Sequence, residues 1–231
     1  MTRKAMILAA GLGQRMRPLT DTLPKPMLSV AGKPLLQYHL ENLAAAGITG
    51  VVINLAYLGD KIREFVGNGE RFGLSVIYSQ EPEPLETAGA LLNALHLLGD
   101  EPFLLVNGDV WADYDLSKLV GYSLQTDEDA HLVLVSNPDF HPAGDFSPNA
   151  DGRLENNPAL EKFTFAGISL IHPRLIDGYP NKRVKFPLGE VLRFGIEQHR
   201  ISAEIYHGAW SDVGTPERLA QLDRQLCKNN S

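Results

Sequence analysis

The sequence predicts an α/β fold: a mainly parallel sheet covered by helices on both faces. Three observations carry that expectation. Apolar runs alternate with helical stretches through residue 109, the order produced by βαβ crossovers. The 231 residues are 44% hydrophobic and 21% charged, enough apolar material for the core of one large domain. Gly11, Gln80 and Asp109 fall just beyond or at the ends of such runs, and open parallel sheets bind ligands at the carboxyl ends of their strands.

The elements follow in order. "KAMILAA" (4–10) reads as a buried strand. "PLLQYHLENLAAAG" (34–47) sets Leu36, His39, Leu40 and Leu43 on one helical face and stops at Gly47, a suitable C′ residue. "VVINL" (51–55) is a second strand, 59–67 a short helix, 74–79 a third strand and 86–99 another helix. "PFLLVNGD" (102–109) is a fourth strand ending in a polar cluster. The pattern then loosens. A strand is expected over 131–136, turns and short hairpin strands over 137–158, and a strand over 162–171. A helix over 187–199 and a strand over 201–208 come next. Thr215 is a good N-cap with Pro216 at N1, so a helix closes the chain. The change near residue 137 reads as an insertion on the sheet within one domain spanning 1–231.

Composition excludes several classes. Twenty-one basic against 28 acidic residues leave a charge of −7, which argues against nucleic-acid binding and requires any anionic ligand to be held by local cations or a metal. The single cysteine, Cys227, excludes an internal disulfide and a cysteine zinc site. The seven histidines show no metal-ligand spacing. No apolar run approaches the roughly 18 residues of a membrane span. The opening "MTRKAMILAA" runs straight into glycines, charges and prolines, so it reads as a first strand rather than a signal peptide. A cytoplasmic location is expected, with no membrane or nucleic-acid partner.

"AAGLGQRMRPLTDTLPKPML" (9–28) carries the chemistry. Gly11 and Gly13 follow the first strand, but Met16 stands where a dinucleotide fingerprint needs its third glycine, and no acidic residue closes the second strand. A Walker A loop fails for want of Gly-Lys-Ser/Thr. What remains is a glycine turn whose amides could wrap a phosphate, followed by Arg15 and Lys25. A structural turn with solvent-facing cations is the alternative.

The stretch closely resembles the signature of the sugar-1-phosphate nucleotidylyltransferases, and further motifs agree in order: "QEPEPLETAGAL", "LVNGDV", "FAGISLI" and "WSDVGTPERL". The resemblance covers nearly the whole chain and is greatest to the short bacterial N-acetylmuramate-1-phosphate uridylyltransferases of peptidoglycan recycling. Gln14 departs from the Thr that often precedes the signature arginine. The resemblance implies a Rossmann-like three-layer αβα fold with a small sugar-binding insertion, the nucleotide-binding part being about 1–136 and the sugar-binding part about 137–231. It implies that a sugar-1-phosphate oxygen attacks the α-phosphorus of a nucleoside triphosphate, most simply UTP, and expels pyrophosphate. The nucleophile is already an anion, so positioning, charge neutralisation and Mg²⁺ suffice without a general base.

Residue by residue, the resemblance implies that Gly11, Leu12 and Gly13 cradle the triphosphate. Arg15 would stabilise the departing phosphates and Lys25 would hold the incoming sugar phosphate near the α-phosphate, while Arg17 divides between substrate contact and scaffold. Asp109 and Asp212 would be the carboxylate ligands of Mg²⁺. Gln80 would read the base and Gly89 would let backbone approach it; Glu81 is in reach of the nucleotide, but reads first as a solvated surface charge. Asn107, Gly144 and Glu161 would contact the sugar. His141, Lys162 and Lys185 read as surface residues, with offsetting a lactyl carboxylate as the alternative. Guanylyl transfer to mannose 1-phosphate, thymidylyl transfer to glucose 1-phosphate, cytidylyl transfer to phosphocholine and a silent nucleotide-sensing subunit are the competing readings. Oligomeric state stays open, monomer included.

Overall fold

The computed structural model describes residues 3–229. β1 (Lys4–Leu8) is followed by the hairpin β2 (Ser29–Val30) and β3 (Lys33–Pro34), then α1 (Leu35–Ala45), β4 (Gly50–Leu55) and α2 (Gly59–Val66). Next come β5 (Ser75–Gln80), α3 (Glu86–Leu98), β6 (Phe103–Asn107), β7 (Val110–Ala112), α4 (Ser117–Gly121) and β8 (Ala130–Val135). The pair β9 (Ser147–Pro148) and β10 (Leu154–Glu155) precedes β11 (Thr164–Ile171), α5 (Arg174–Asp177) and α6 (Leu188–Glu197). β12 (Ile201–Tyr206), β13 (Trp210–Asp212) and α7 (Pro216–Asn229) complete the order.

Seven strands form one sheet in the order β12-β8-β11-β6-β1-β4-β5. β1 runs parallel to β4 and β6, β4 to β5, and β12 to β8, whereas β11 is antiparallel to both β6 and β8. Alternate residues of each central strand go to opposite faces. Ala5, Ile7, Leu104 and Val106 join one apolar cluster with Leu36, Leu40 and Leu43 of α1. Met6, Val52, Phe103 and Leu105 join another with Ala88 and Leu91 of α3 and Val191 of α6. The two clusters make the predicted three layers.

Local features match the chemistry of their sequences. α1 begins after Pro34, buries Leu36, His39, Leu40 and Leu43, and is followed by Gly47 at φ 87°, the left-handed geometry that ends a helix cheaply only at glycine. α7 takes its first turn from Thr215, whose Oγ1 accepts the Arg218 amide at 3.4 Å. A third cluster, with Met16, Val30, Leu35, Val213 and Leu222, fixes the glycine-started loop against α7. Burial of Met16 alone is worth about 1.5–3 kcal/mol and anchors that loop from below. No helix among the described residues is long and apolar enough to cross a membrane.

Candidate active site

Two cavities open at the carboxyl ends of β1 and β6. The first, about 210 Å³, is lined by Gly11, Lys25, Glu81, Thr87, Asn107 and Asp109 with their neighbours. The second, about 350 Å³, takes in Arg15, Asp145, Trp210, Asp212 and Arg218 and shares Asn107 and Asp109 with the first. A ligand bridging them would therefore pass over those two side chains.

The glycine loop has the form of an anion cradle. Gly13 sits at φ 60°, and its carbonyl accepts the Thr20 hydroxyl at 2.8 Å and the Met16 amide at 2.8 Å. A Cβ on Gly13 would stand 2.8 Å from Thr20 Cγ2, so both the backbone angle and the space demand glycine. The amides of Gly11, Leu12 and Gly13 donate to no protein acceptor among the described residues. Exposed Arg15 lines the second cavity, while Arg17 pairs on the surface with Asp21 at 3.3 Å, outside both linings.

Asp109 and Asp212, far apart in sequence, are brought together by the β7–β13 ladder. Asp212 is the register partner of Val110, and the Val213 amide donates to the Asp109 carbonyl at 2.9 Å. Gly108 lets the chain turn there, since a Cβ would lie 2.7 Å from the Leu8 carbonyl. Lys25, 8% exposed and stiffened between Pro24 and Pro26, places Nζ 2.5 Å from Asp109 Oδ2. Asp212 Oδ2 lies 3.2 Å from Arg218 Nη1. Burial pushes the Asp212 carboxyl up from its ordinary pKa and the charge of Asp109 adds to this, against the pull of Arg218, Lys25 and Arg15. Two carboxylates in mutual repulsion beside the two cavities supply hard oxygen donors of the kind that suits Mg²⁺. No group of three or more His, Cys, Asp or Glu side chains that could hold a metal occurs among the described residues, so a two-carboxylate set would rely on ligand and water oxygens.

Several expectations change place. Glu81 is not a surface charge: it is 2% exposed, and its amide donates to the Leu55 carbonyl at 2.8 Å. Its Oε1 accepts Asn54 Nδ2 at 2.7 Å and its Oε2 accepts the Leu85 amide at 3.1 Å, while Asn54 Oδ1 accepts the Ala9 amide at 2.7 Å. Burial pushes the Glu81 carboxyl up, and those two donors hold it back. Gln80 is exposed in an adjoining depression with Tyr57 and Pro82, and its Oε1 accepts Arg63 at 3.4 Å. Gly89 lines neither cavity; its amide is spent on the Phe186 carbonyl, and a Cβ would meet the Val184 carbonyl at 2.5 Å. The close backbone approach expected at Gly89 is thus internal.

Asn107 faces both cavities and rests on Gly167, whose φ of 74° lies within the irregularity of β11 between Phe165 and Ser169. Gly144, at φ 60°, supports the second cavity from outside its lining, packed on Asn137 and Lys162. Glu161 is exposed beyond both linings. Sequence reasoning missed Asp145, Thr164, Trp210 and Arg218 as members of the second cavity. For Arg218 a signal existed: a cation in the first turn of a helix opposes the helix dipole and invites another explanation.

A nucleotidyl transferase family model matches residues 4–147. N-acetylmuramate alpha-1-phosphate uridylyltransferase of Neisseria meningitidis serogroup B is 48% identical over 223 residues, covering 94% of this chain and 96% of that protein. The protein of the same name from Caulobacter vibrioides is 31% identical, with 97% of each chain covered. Among solved structures, HddC from Yersinia pseudotuberculosis complexed with GMP-PN superposes with a TM-score of 0.78 at 27% identity, over 97% of this chain and 100% of that one. The glycine loop, the paired cavities and these matches have one reading: the chain belongs to the nucleotidyl transferase family and is an enzyme of that family.

Proposed function

We propose that the chain transfers a uridylyl group from UTP to N-acetylmuramate 1-phosphate, forming the UDP-sugar and releasing pyrophosphate, as a step of peptidoglycan recycling. The meeting of the two cavities at Asn107 and Asp109 carries this reading, since a nucleotide in one and a sugar phosphate in the other would meet end to end. The 48% identity to a protein named for that reaction supports the choice of substrates.

The chemistry needs little beyond placement. A phosphate oxygen of the sugar 1-phosphate attacks the α-phosphorus, the bond from that phosphorus to the α–β bridging oxygen breaks, and pyrophosphate leaves with the electron pair. The amides of Gly11, Leu12 and Gly13 receive the triphosphate. Arg15, with a planar multidentate head, answers the charge that grows on the departing phosphates. Lys25 supplies a compact charge between the two reacting anions. Asp109 and Asp212 would hold Mg²⁺, which when bound neutralises phosphate charge and helps align the reacting groups. Glu81, rather than Gln80, faces the cavity that takes the base, and its fixed carboxylate suits an imide N–H. Gln80 remains an outer contact at the rim. Asn107 contacts the sugar, and Gly144 backs that side, while Glu161 lies outside both linings. In this division of labour the first part of the chain, about 1–136, carries the nucleotide and the rest the sugar and the second carboxylate.

The test is a matrix of four nucleoside triphosphates against several sugar 1-phosphates, scored by pyrophosphate release. UTP with N-acetylmuramate 1-phosphate is expected to give the highest kcat/KM. If N-acetylglucosamine 1-phosphate, or mannose 1-phosphate with GTP, wins by tenfold, about 1.4 kcal/mol in transition-state binding, the substrate assignment fails.

A further inference from the structure

N-acetylmuramate 1-phosphate differs from N-acetylglucosamine 1-phosphate by a lactyl ether that ends in a carboxylate. An enzyme that prefers it must meet a second anion on the sugar side, away from the phosphates. Three cationic or ionisable basic groups line the second cavity: Arg15, His141 and Arg218. Arg15 stands on the glycine loop, where the phosphates are proposed to bind. His141 is already engaged, with Nε2 3.0 Å from Asp145 Oδ1, while Asp145 Oδ2 accepts the Phe165 amide at 2.8 Å. Lys162 and Lys185, the other cations considered from sequence, are exposed and outside the lining.

Arg218 is different. Its guanidinium lies over the Phe140 ring, 3.9 Å from the centroid, and Nη2 fills the space that a side chain at Gly214 would take, 1.9 Å from an added Cβ. The group is therefore held by an aromatic ring and by the space that glycine leaves beside Nη2. Nη1 is spent on Asp212 at 3.2 Å, but Nε is buried and without a hydrogen-bond partner among the described residues, and Nη2 has none either. Nη2 is thus the donor left for a ligand carboxylate, and a hydrogen bond from a guanidinium to a carboxylate is among the strong ones. A buried charged donor left unpaired is costly, and a cation at this turn of α7 does nothing for the helix. Phe140 belongs to the same segment as Gly144, so the stack also ties the proposed sugar-contact loop to α7.

We infer that Arg218 is a specificity-determining residue that reads the lactyl carboxylate of the sugar substrate through Nη2, with Phe140 and Gly214 holding the guanidinium in place. The inference rests on the uridylyl-transfer reading above and names the residue that would make it selective for an acidic sugar.

The experiment compares wild type, Arg218→Gln and Arg218→Lys on three acceptors with UTP: N-acetylmuramate 1-phosphate, its lactyl methyl ester, and N-acetylglucosamine 1-phosphate. Loss of a hydrogen-bonded charge partner predicts that Arg218→Gln lowers kcat/KM for the acid by at least about tenfold more than for N-acetylglucosamine 1-phosphate. The ester should be equally poor for wild type and Arg218→Gln, and Arg218→Lys should recover part of the preference for the acid. A fall of equal size on all three acceptors would mean that Arg218 acts only through Asp212, and no change on any would mean that it does not touch substrate; either overturns the inference. The wild-type rates separate the two levels. A wild type that turns over UTP without preferring the acid overturns the substrate reading itself, whereas a preference untouched by Arg218→Gln overturns Arg218 alone.

Discussion

Acid should destabilise this protein through His39 by an amount that can be worked out in advance. His39 lies on the inward face of α1, 7% exposed, and its Nε2 is buried without a hydrogen-bond partner among the described residues. Burial pushes its pKa down to about 4, against the upward pull of the Asp109 carboxylate and the Val110 backbone. In the unfolded chain the ring titrates near 6.5. As pH falls below that value the unfolded chain takes up a proton that the folded protein refuses until about 4, so stability present at neutral pH is lost on acidification. At pH 5 the gap amounts to roughly 1.5 units, or about 2 kcal/mol. His131 and His172 are also lowered by burial and steepen the total slope, so the measurement must be a difference. Urea unfolding of wild type and His39→Leu across pH 7.5 to 5 supplies it. The variant carries a constant packing change but no titration, so wild type should lose about 2 kcal/mol relative to it over that range. Stability curves that stay parallel within extrapolation error would refute the reasoning and show that the ring is protonated, or hydrated, in the folded state.

Three further outcomes are expected. Asp109→Asn and Asp212→Asn should each lower turnover far more than melting temperature and raise the Mg²⁺ concentration for half-maximal rate; near-normal activity at limiting Mg²⁺ would remove that residue from the ligand set. Arg15→Ala should depress kcat with little change in sugar-phosphate KM, whereas Lys25→Ala should raise that KM as well, and identical profiles would refute separate roles. Gly167→Ala puts a Cβ at 2.8–3.0 Å from Asn107 Nδ2, Cβ and Cγ at a φ of 74°, so it should cost about 1–3 kcal/mol and raise sugar-phosphate KM; thermal melting with steady-state kinetics checks both parts.

Patterns that repeat within a few residues were legible in the sequence. The inward face of α1, the apolar runs of β1, β4 and β6, and the Thr215–Pro216 start of α7 all announce themselves through periodicity or capping chemistry. What closes the site does not. β7 and β13 are three residues each, too short for any period, yet their pairing helps bring Asp109 beside Asp212. Glu81 sits among Gln80, Pro82 and Glu83 and reads as surface; its burial depends on a bond from Asn54, at the end of a different strand. Gly89 was legible as a glycine with a reason, but the reason is the carbonyl of Val184, nearly a hundred residues away. Local sequence reports what a residue requires of its own backbone, not what reaches it from elsewhere in the chain.

The same distinction explains how a chain of charge −7 can serve two polyanions. Its cations are not spread over a basic face. Lys25 and Arg218, from opposite ends of the chain, each meet one of the two carboxylates, and the third cluster packs their segments together through Met16, Leu28, Val213 and Leu222. Each ion pair keeps a partly buried charge from standing alone, which would cost several kcal/mol. On the proposed assignment it would also couple the two ligand types. Lys25 could turn from Asp109 to a phosphate without stranding the carboxylate only when another cation takes its place there, and Asp109 could accept such a cation at low cost only when Lys25 has a new anion. Metal and sugar-phosphate affinity should therefore rise together, each by the factor it confers on the other. The core that fixes Lys25 beside Asp109 is thus part of the chemistry of the site as well as of its stability.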